Sequence, residues 1–305
     1  MKKSSYRGVP GVWKVDSGKK GPVLGVTVHT HGNEPSGLGA LSYFRNVYPI
    51  ESRLKKGSVI FVLNNIKATE MYLRAKTDAE RKLARYVDVN MNRLPNNLLK
   101  LKKDRRYEIQ RALMLLPIWK EFGVGIDIHS MRQRSKPFIM SIGTFVPHLV
   151  RGFPMNVVVS NVQKVMKSKP AIAFYGKQGT KKLGVETGSH EDTTSFKRAS
   201  LCAINIMKNL DMIGGGGKKY RGTRTYRHYR LVGSLWVPNK SFSLVRIFKN
   251  YERVKRGTLI ATNGRIAKMA PLDGHIILPP RERSPLRLGE EILFFSAPVQ
   301  HIRAK

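Results

Sequence analysis

One cysteine, Cys202, stands among 305 residues, which excludes an internal disulfide framework and any metal site built from thiolates alone. Acidic residues are few beside basic ones: 20 Asp+Glu face 56 Lys+Arg, a formal net charge of +36 at pH 7. No apolar run approaches the roughly 18–20 residues that a membrane span needs. The basic start "MKKSSYRGVPGVWKVDSGKKG" is not followed by the apolar stretch of a signal peptide. With 41% hydrophobic residues, the chain is globular rather than disordered and is long enough for one large core or two ordinary domains. A cytoplasmic location is the economical expectation.

What is abundant is positive charge. A field of that sign attracts nucleic acid, anionic membrane surfaces or anionic small molecules, and composition does not choose among them. The basic residues are spread through "LKLKKDRR" (99–106), "RQRSK" (132–136), "KKYRGTRTYRHYR" (218–230) and "RERSPLR" (281–287). This predicts a globally basic surface rather than one dedicated tail. Against that background each carboxylate deserves a question.

From about Pro22 to Ile213, short β-type runs alternate with helical patterns. "PVLGVTV" and "SVIFVLNN" read as strands, while "SGLGALSYFRNV" carries Leu41 and Phe44 at helical spacing. "DRRYEIQRALMLL" places Ile109, Ala112, Leu113 and Leu116 on one helical stripe before "GVGIDIH" and "FIMSIG" return to strand. A last helix runs through "FKRASLCAINIMKNLDMI", where Cys202 reads as a packed residue rather than a nucleophile. This rhythm predicts an α/β fold with a mixed sheet flanked by helices. "GGGG" at 214–217 ends the last helix and reads as a linker between domains at 1–213 and 218–305. The second is rich in strands, turns and proline, and reads as a smaller all-β domain.

Ligand-type side chains crowd the end of the first strand, in "HTHGNEPSG" at 29–37. A neutral imidazole and a carboxylate at a strand-to-helix transition suit Zn²⁺, whose catalytic sites commonly hold three protein ligands and an open position. The pair His31 and Glu34 fits that pattern, and His29 competes with His31 while the chain stays extended. A third candidate, His129, ends the apolar strand of "GVGIDIHSM", where open α/β sheets place their sites. Asp127, two residues earlier, lies on the same strand face and is placed to support it. "RYVDVNMNRLP" at 85–95 offers Arg85, Asn92 and Arg93 as donors, with arginine suited to gripping a carboxylate in bidentate fashion. In "GVETGS", Glu186 ends another apolar run and is a candidate general base.

The order of "HGNEPSG", "RYVDVNMNRLP", "DIHS" and "VETG" over about residues 20–210 resembles the succinylglutamate desuccinylase/aspartoacylase family of zinc hydrolases, relatives of the zinc carboxypeptidases. The resemblance implies one Zn²⁺ held by His31, Glu34 and His129, which selects His31 over His29. It implies Glu186 as general base and acid, Arg85 as the group that polarises the scissile carbonyl, and Asn92 and Arg93 as the holders of a substrate carboxylate. The implied reaction is cleavage of the amide bond of a small, anionic N-acyl amino acid by metal-activated water. One departure stands out: many members have Asp-Leu-Asn-Arg where this chain has Asn90-Met91-Asn92-Arg93, which puts the acyl group and amino acid in question.

Two other readings stay open. A carboxylate clamp beside zinc also serves a carboxypeptidase acting on peptides. Tyr220, Tyr226 and Tyr229 interleaved with basic residues suit stacking on single-stranded nucleic acid, although a basic β-strand with alternating faces is the reading preferred here. "VKRGTLIATNGRIAKMAPLDGHI" at 254–276 resembles the half-barrel of biotinyl and lipoyl carrier domains. Its turn, Asn263-Gly264, is the type I′ pair rather than a modifiable lysine, so no prosthetic group is expected, and a structural role or an oligomer contact is the expectation for this region.

Overall fold

Alternating strand and helix patterns become one large mixed sheet in the computed structural model, which describes residues 5–214, 224–284, 286 and 288–304. The first part of the chain holds β1 (Val12–Asp16), β2 (Val23–Val28), β3 (Ser58–Leu63), β4 (Val124–Met131), β5 (Phe138–Ile142), β6 (Val157–Ser160) and β7 (Lys181–Ser189). Its helices are α1 (Ser36–Asn46), α2 (Ile66–Arg74), α3 (Asp78–Leu83), α4 (Tyr107–Trp119), α5 (Val162–Val165) and α6 (Ser195–Asn209). The later part is all β: β8 (Arg224–Trp236), β9 (Ser243–Leu244), β10 (Arg253–Val254), β11 (Leu259–Thr262), β12 (Ala267–Met269), β13 (Gly274–Ile277), β14 (Glu291–Ser296) and β15 (Gln300–Ala304).

The sheet runs β1-β3-β2-β4-β7-β5-β6-β8-β14-β13-β10, with β15 also paired to β8. β3, β2, β4 and β7 are mutually parallel; β1 and β5 run against their neighbours β3 and β7. Residues of alternate parity enter different cores. Leu24, Val26, Val28, Val59 and Phe61 pack with Ala40, Phe44, Ala199 and Cys202 of α1 and α6, while Ile60 and Val62 join Ile109, Ala112, Leu115 and Trp119 of α4 on the other side. Double-sided burial is why β4 is buried at every position, as expected of a central parallel strand.

β8 pairs in parallel with β6 from Val157↔Arg227 to Ser160↔Arg230, so the later strands continue the sheet. A third core, around Phe242, Leu244, Phe248, Ile260 and Phe295, belongs to this later region. Gly214 is described, but 215–217 of the glycine run and Tyr220 lie outside the described residues. Tyr226 and Tyr229 are each 1% exposed and enter the two opposite cores, so neither ring is presented for stacking. The turn at Asn263-Gly264 differs from the type I′ expectation. Gly264 has φ +87° but Asn263 does not have positive φ, and its side chain instead accepts from the Arg265 and Ile266 amides across a longer loop.

One buried carboxylate on α4 shapes the loop that carries the arginine-rich motif. Glu108 is 0% exposed; its two oxygens accept from the backbone amides of Val87, Asp88 and Val89 at 2.6–3.0 Å and from Asn65 Nδ2 at 2.9 Å. Glu108→Gln sets an NH₂ group against backbone N–H donors and leaves them unpaired. It is expected to cost about 3 kcal/mol in urea unfolding; a loss near zero would mean that the loop is held by other contacts.

Candidate functional site

The turn after β2 decides which histidine enters the site. The strand ends at Val28, and His29 takes a left-handed φ of +53°, so the chain is no longer extended where a shared face with His31 would require it. His29 is buried against Thr69, with Nδ1 3.0 Å from its Oγ1, and does not join the cluster. Gly32 makes the turn possible: a Cβ there would lie 2.2 Å from the Ala68 carbonyl oxygen and 2.5 Å from that of Ala84. The close approach also lets the Gly32 amide bond the Arg85 carbonyl at 3.0 Å.

His31, Glu34 and His129 come together, each buried, with one donor atom apiece within 4.8 Å of the others. Glu34 Oε1 lies 2.6 Å from His31 Nδ1, and Oε2 lies 2.7 Å from His129 Nδ1. Burial alone would raise the Glu34 pKa, but the two imidazoles outweigh it and hold the carboxyl well below its ordinary range. For His129, burial opposes protonation, yet Asp127 and Glu34 raise its pKa well above the ordinary value.

Both ring nitrogens of His129 face carboxylates, Nδ1 toward Glu34 and Nε2 toward Asp127 Oδ2 at 2.9 Å. That arrangement calls for a doubly protonated ring, or for a cation in place of the Nδ1 proton. The donor set of two imidazoles and a carboxylate therefore fits a metal ion such as zinc. Asp127 is itself fixed by Thr27 Oγ1 at 2.7 Å and Thr30 Oγ1 at 3.0 Å, a carboxylate–histidine pair of the kind that orients metal ligands. His31 has the matching support from Asn90, whose Oδ1 lies 2.9 Å from Nε2. Where many members of the resembled family have an acid, Asn90 Oδ1 accepts from the Asn92 amide at 2.8 Å and lies against His31 Nε2.

The other expected residues line one cavity of about 350 Å³ that also contains His31 and Glu34. Arg85 places its guanidinium 3.2 Å from Glu34 Oε1 and 3.1 Å from His31 Nε2. Asn92 has a buried Oδ1 with no hydrogen-bond partner among the described residues. Arg93 is tethered from the far side, its Nε 2.8 Å from Glu291 Oε2 and its NH2 donating to the Glu291 carbonyl at 3.0 Å. Glu186, in register with His129 on neighbouring parallel strands, keeps Oε2 enclosed and unpartnered. Burial pushes its pKa up to about 7, only partly offset by His129.

Several other groups at this site carry little or no local sequence signal. Asn90 carried a signal as the departure from an expected acid. Glu291 reaches Arg93 from almost 200 residues away, and no local pattern announces it. His190 sits with Nδ1 2.8 Å from Ser130 Oγ, and burial lowers its pKa to about 4, so the ring is neutral at pH 7.

The folded-state pKa of Glu186 lies above its unfolded value, so the folded protein binds the extra proton and loses stability as pH rises from about 4.5 to about 7. Glu186→Gln removes that loss. In metal-free protein, the gain in melting temperature from this substitution is expected to be small at pH 4 and full at pH 8. An equal gain at both would place the carboxylate in contact with solvent.

At the level of sequence, no family model and no curated protein matches the chain. Its fold, however, is that of several solved structures. Succinylglutamate desuccinylase from Vibrio cholerae is 15% identical, with a TM-score of 0.66 over 96% of this chain and 89% of that one. A succinylglutamate desuccinylase/aspartoacylase from Rhodobacter sphaeroides is 15% identical, with a TM-score of 0.63 over 94% and 88%. A product-bound ectoine utilization protein from Ruegeria pomeroyi is 14% identical, with a TM-score of 0.64 over 93% and 88%. Across nearly its whole length, this chain has the fold of the succinylglutamate desuccinylase/aspartoacylase structures.

Proposed function

We propose that this chain is a zinc-dependent hydrolase that cleaves the amide bond of a small N-acyl amino acid. The observation that carries the reading is the buried His31, Glu34 and His129 group, with ligand atoms within 4.8 Å of one another, at a cavity lined by His31, Glu34 and Glu186, whose Oε2 is enclosed and unpartnered. One zinc per chain would be held by those three residues and would supply Lewis acidity and an acidified water.

The remaining chemistry falls to the side chains. Glu186, near pKa 7 in its enclosed position, is suited to take a proton from water and return it to the leaving amine. Arg85 brings a fixed positive charge beside Glu34, where it would stabilise negative charge developing on the carbonyl oxygen. Asn92 and Arg93 would receive the substrate's α-carboxylate; Glu291 holds Arg93 so that its orientation is set before substrate arrives. The region from 218 onward is proposed as a distinct β domain that completes the pocket wall, since Leu278, Glu290, Glu291, Ile292 and Phe294 all line it. The one cysteine, Cys202, is buried in α6, in keeping with the proposed cytoplasmic location.

The test is amine release by zinc-loaded protein from a panel of N-acyl amino acids, with short peptides alongside to separate a deacylase from a carboxypeptidase. Glu186→Gln is expected to lower kcat by about 10³-fold with zinc content unchanged. Full rate in that variant would contradict the assignment of the base.

A further inference from the structure

Across the whole chain, basic residues outnumber acidic ones 56 to 20. Around the cavity the side-chain charges come close to balance: among the described residues its lining holds four arginines and five glutamates, one of them Glu186 with a pKa raised to about 7. All four arginines are already engaged. Arg85 lies 3.2 Å from Glu34, Arg93 2.8 Å from Glu291, Arg132 3.2 Å from Glu282 and Arg281 3.3 Å from Glu191. Glu290 adds a further carboxylate, accepting from the Tyr86 hydroxyl at 3.2 Å. The protein's strong positive field therefore does not reach into the pocket as unpaired cations. Beyond the one carboxylate assigned to Asn92 and Arg93, a second would have to compete with glutamates for the half-exposed Arg132 and Arg281 or lie unpaired against the rest of the lining.

Another part of the lining is apolar. Crossing the sheet from β4 and the turn after β2, where the proposed metal ligands sit, through Glu186 on β7, the order continues to β5, β6, β8 and β14. That far side gives the cavity Met140 from β5, Val162 and Met166 from α5 and the residue after it, Leu278 after β13, and Ile292 and Phe294 from β14. These side chains offer neither a donor nor a charge to a second carboxylate.

Building on the proposed deacylase reading, we infer that the acyl group of the substrate is an uncharged alkyl or aryl chain longer than acetyl, bound against this apolar wall, and that dicarboxylic acyl groups are rejected. The substrate then carries one carboxylate, that of the amino acid, directed to Asn92 and Arg93.

The experiment compares the acetyl, butanoyl, hexanoyl and succinyl derivatives of one amino acid with zinc-loaded enzyme. Butanoyl and succinyl share a four-carbon chain and differ in the terminal charge. kcat/KM is expected to rise about fourfold per added methylene, and the succinyl derivative is expected to fall at least about tenfold below the butanoyl one. Met166→Gln should narrow the hexanoyl-to-acetyl ratio. A flat chain-length series, or succinyl equal to or better than butanoyl, would overturn the inference. Absence of turnover on every compound would count against the deacylase reading. Calorimetric binding of the butanoyl and succinyl derivatives to zinc-loaded Glu186→Gln then still decides the acyl preference, with tighter or equal succinyl binding overturning it.

Discussion

A carboxylate 3% exposed between two imidazoles is the constraint around which this molecule is arranged. Glu34 cannot be charged and buried unless compensating groups stand against it, and His31, His129 and Arg85 do so. Holding them there imposes demands on distant segments. The turn after β2 must bend sharply at His29 and Gly32, β4 must end in register with β2 and β7, and the loop bearing Arg85 must lie against that turn. Asp127 on His129 and Asn90 on His31 complete the arrangement by fixing each ring from behind.

The chain's charge asymmetry takes on meaning in this light. Among the described residues, the buried acids are Glu34, Glu108, Asp127 and Glu291. Each belongs to the candidate site or to a segment that supports it: Glu108 by pinning the loop at 87–89, and Glu291 by tethering Arg93. Most of the other carboxylates lie at or near the surface among the basic residues, but these four sit where backbone amides, imidazoles and guanidinium groups must be held in place. Surface charge and pocket charge therefore carry separate messages about partners.

Much of the fold was legible because strand and helix periods are strong where both faces of a sheet are buried, as in β2, β3 and β4. His31, Glu34, His129 and Glu186 were legible as candidate ligand or acid–base side chains at or just after strand ends, and the spacing of two placed Asp127 beside His129, as the structure has it. Other features depend on contacts that local pattern does not encode. His29 and His31 were separated by one left-handed residue rather than by strand alternation. Tyr226 and Tyr229 read as part of a basic strand with alternating faces, which β8 is, but the cores that cover its two faces are assembled from remote segments. Glu108 and Glu291 read as ordinary charged residues until tertiary structure set their partners against them.

The most direct measurement is the metal content of protein purified without chelator and equilibrated with zinc, beside a His31→Ala/Glu34→Ala variant shown by circular dichroism to be folded. The account predicts about one zinc per chain in the parent protein and none in the variant. No zinc in the parent, or the same zinc in the folded variant, would contradict it.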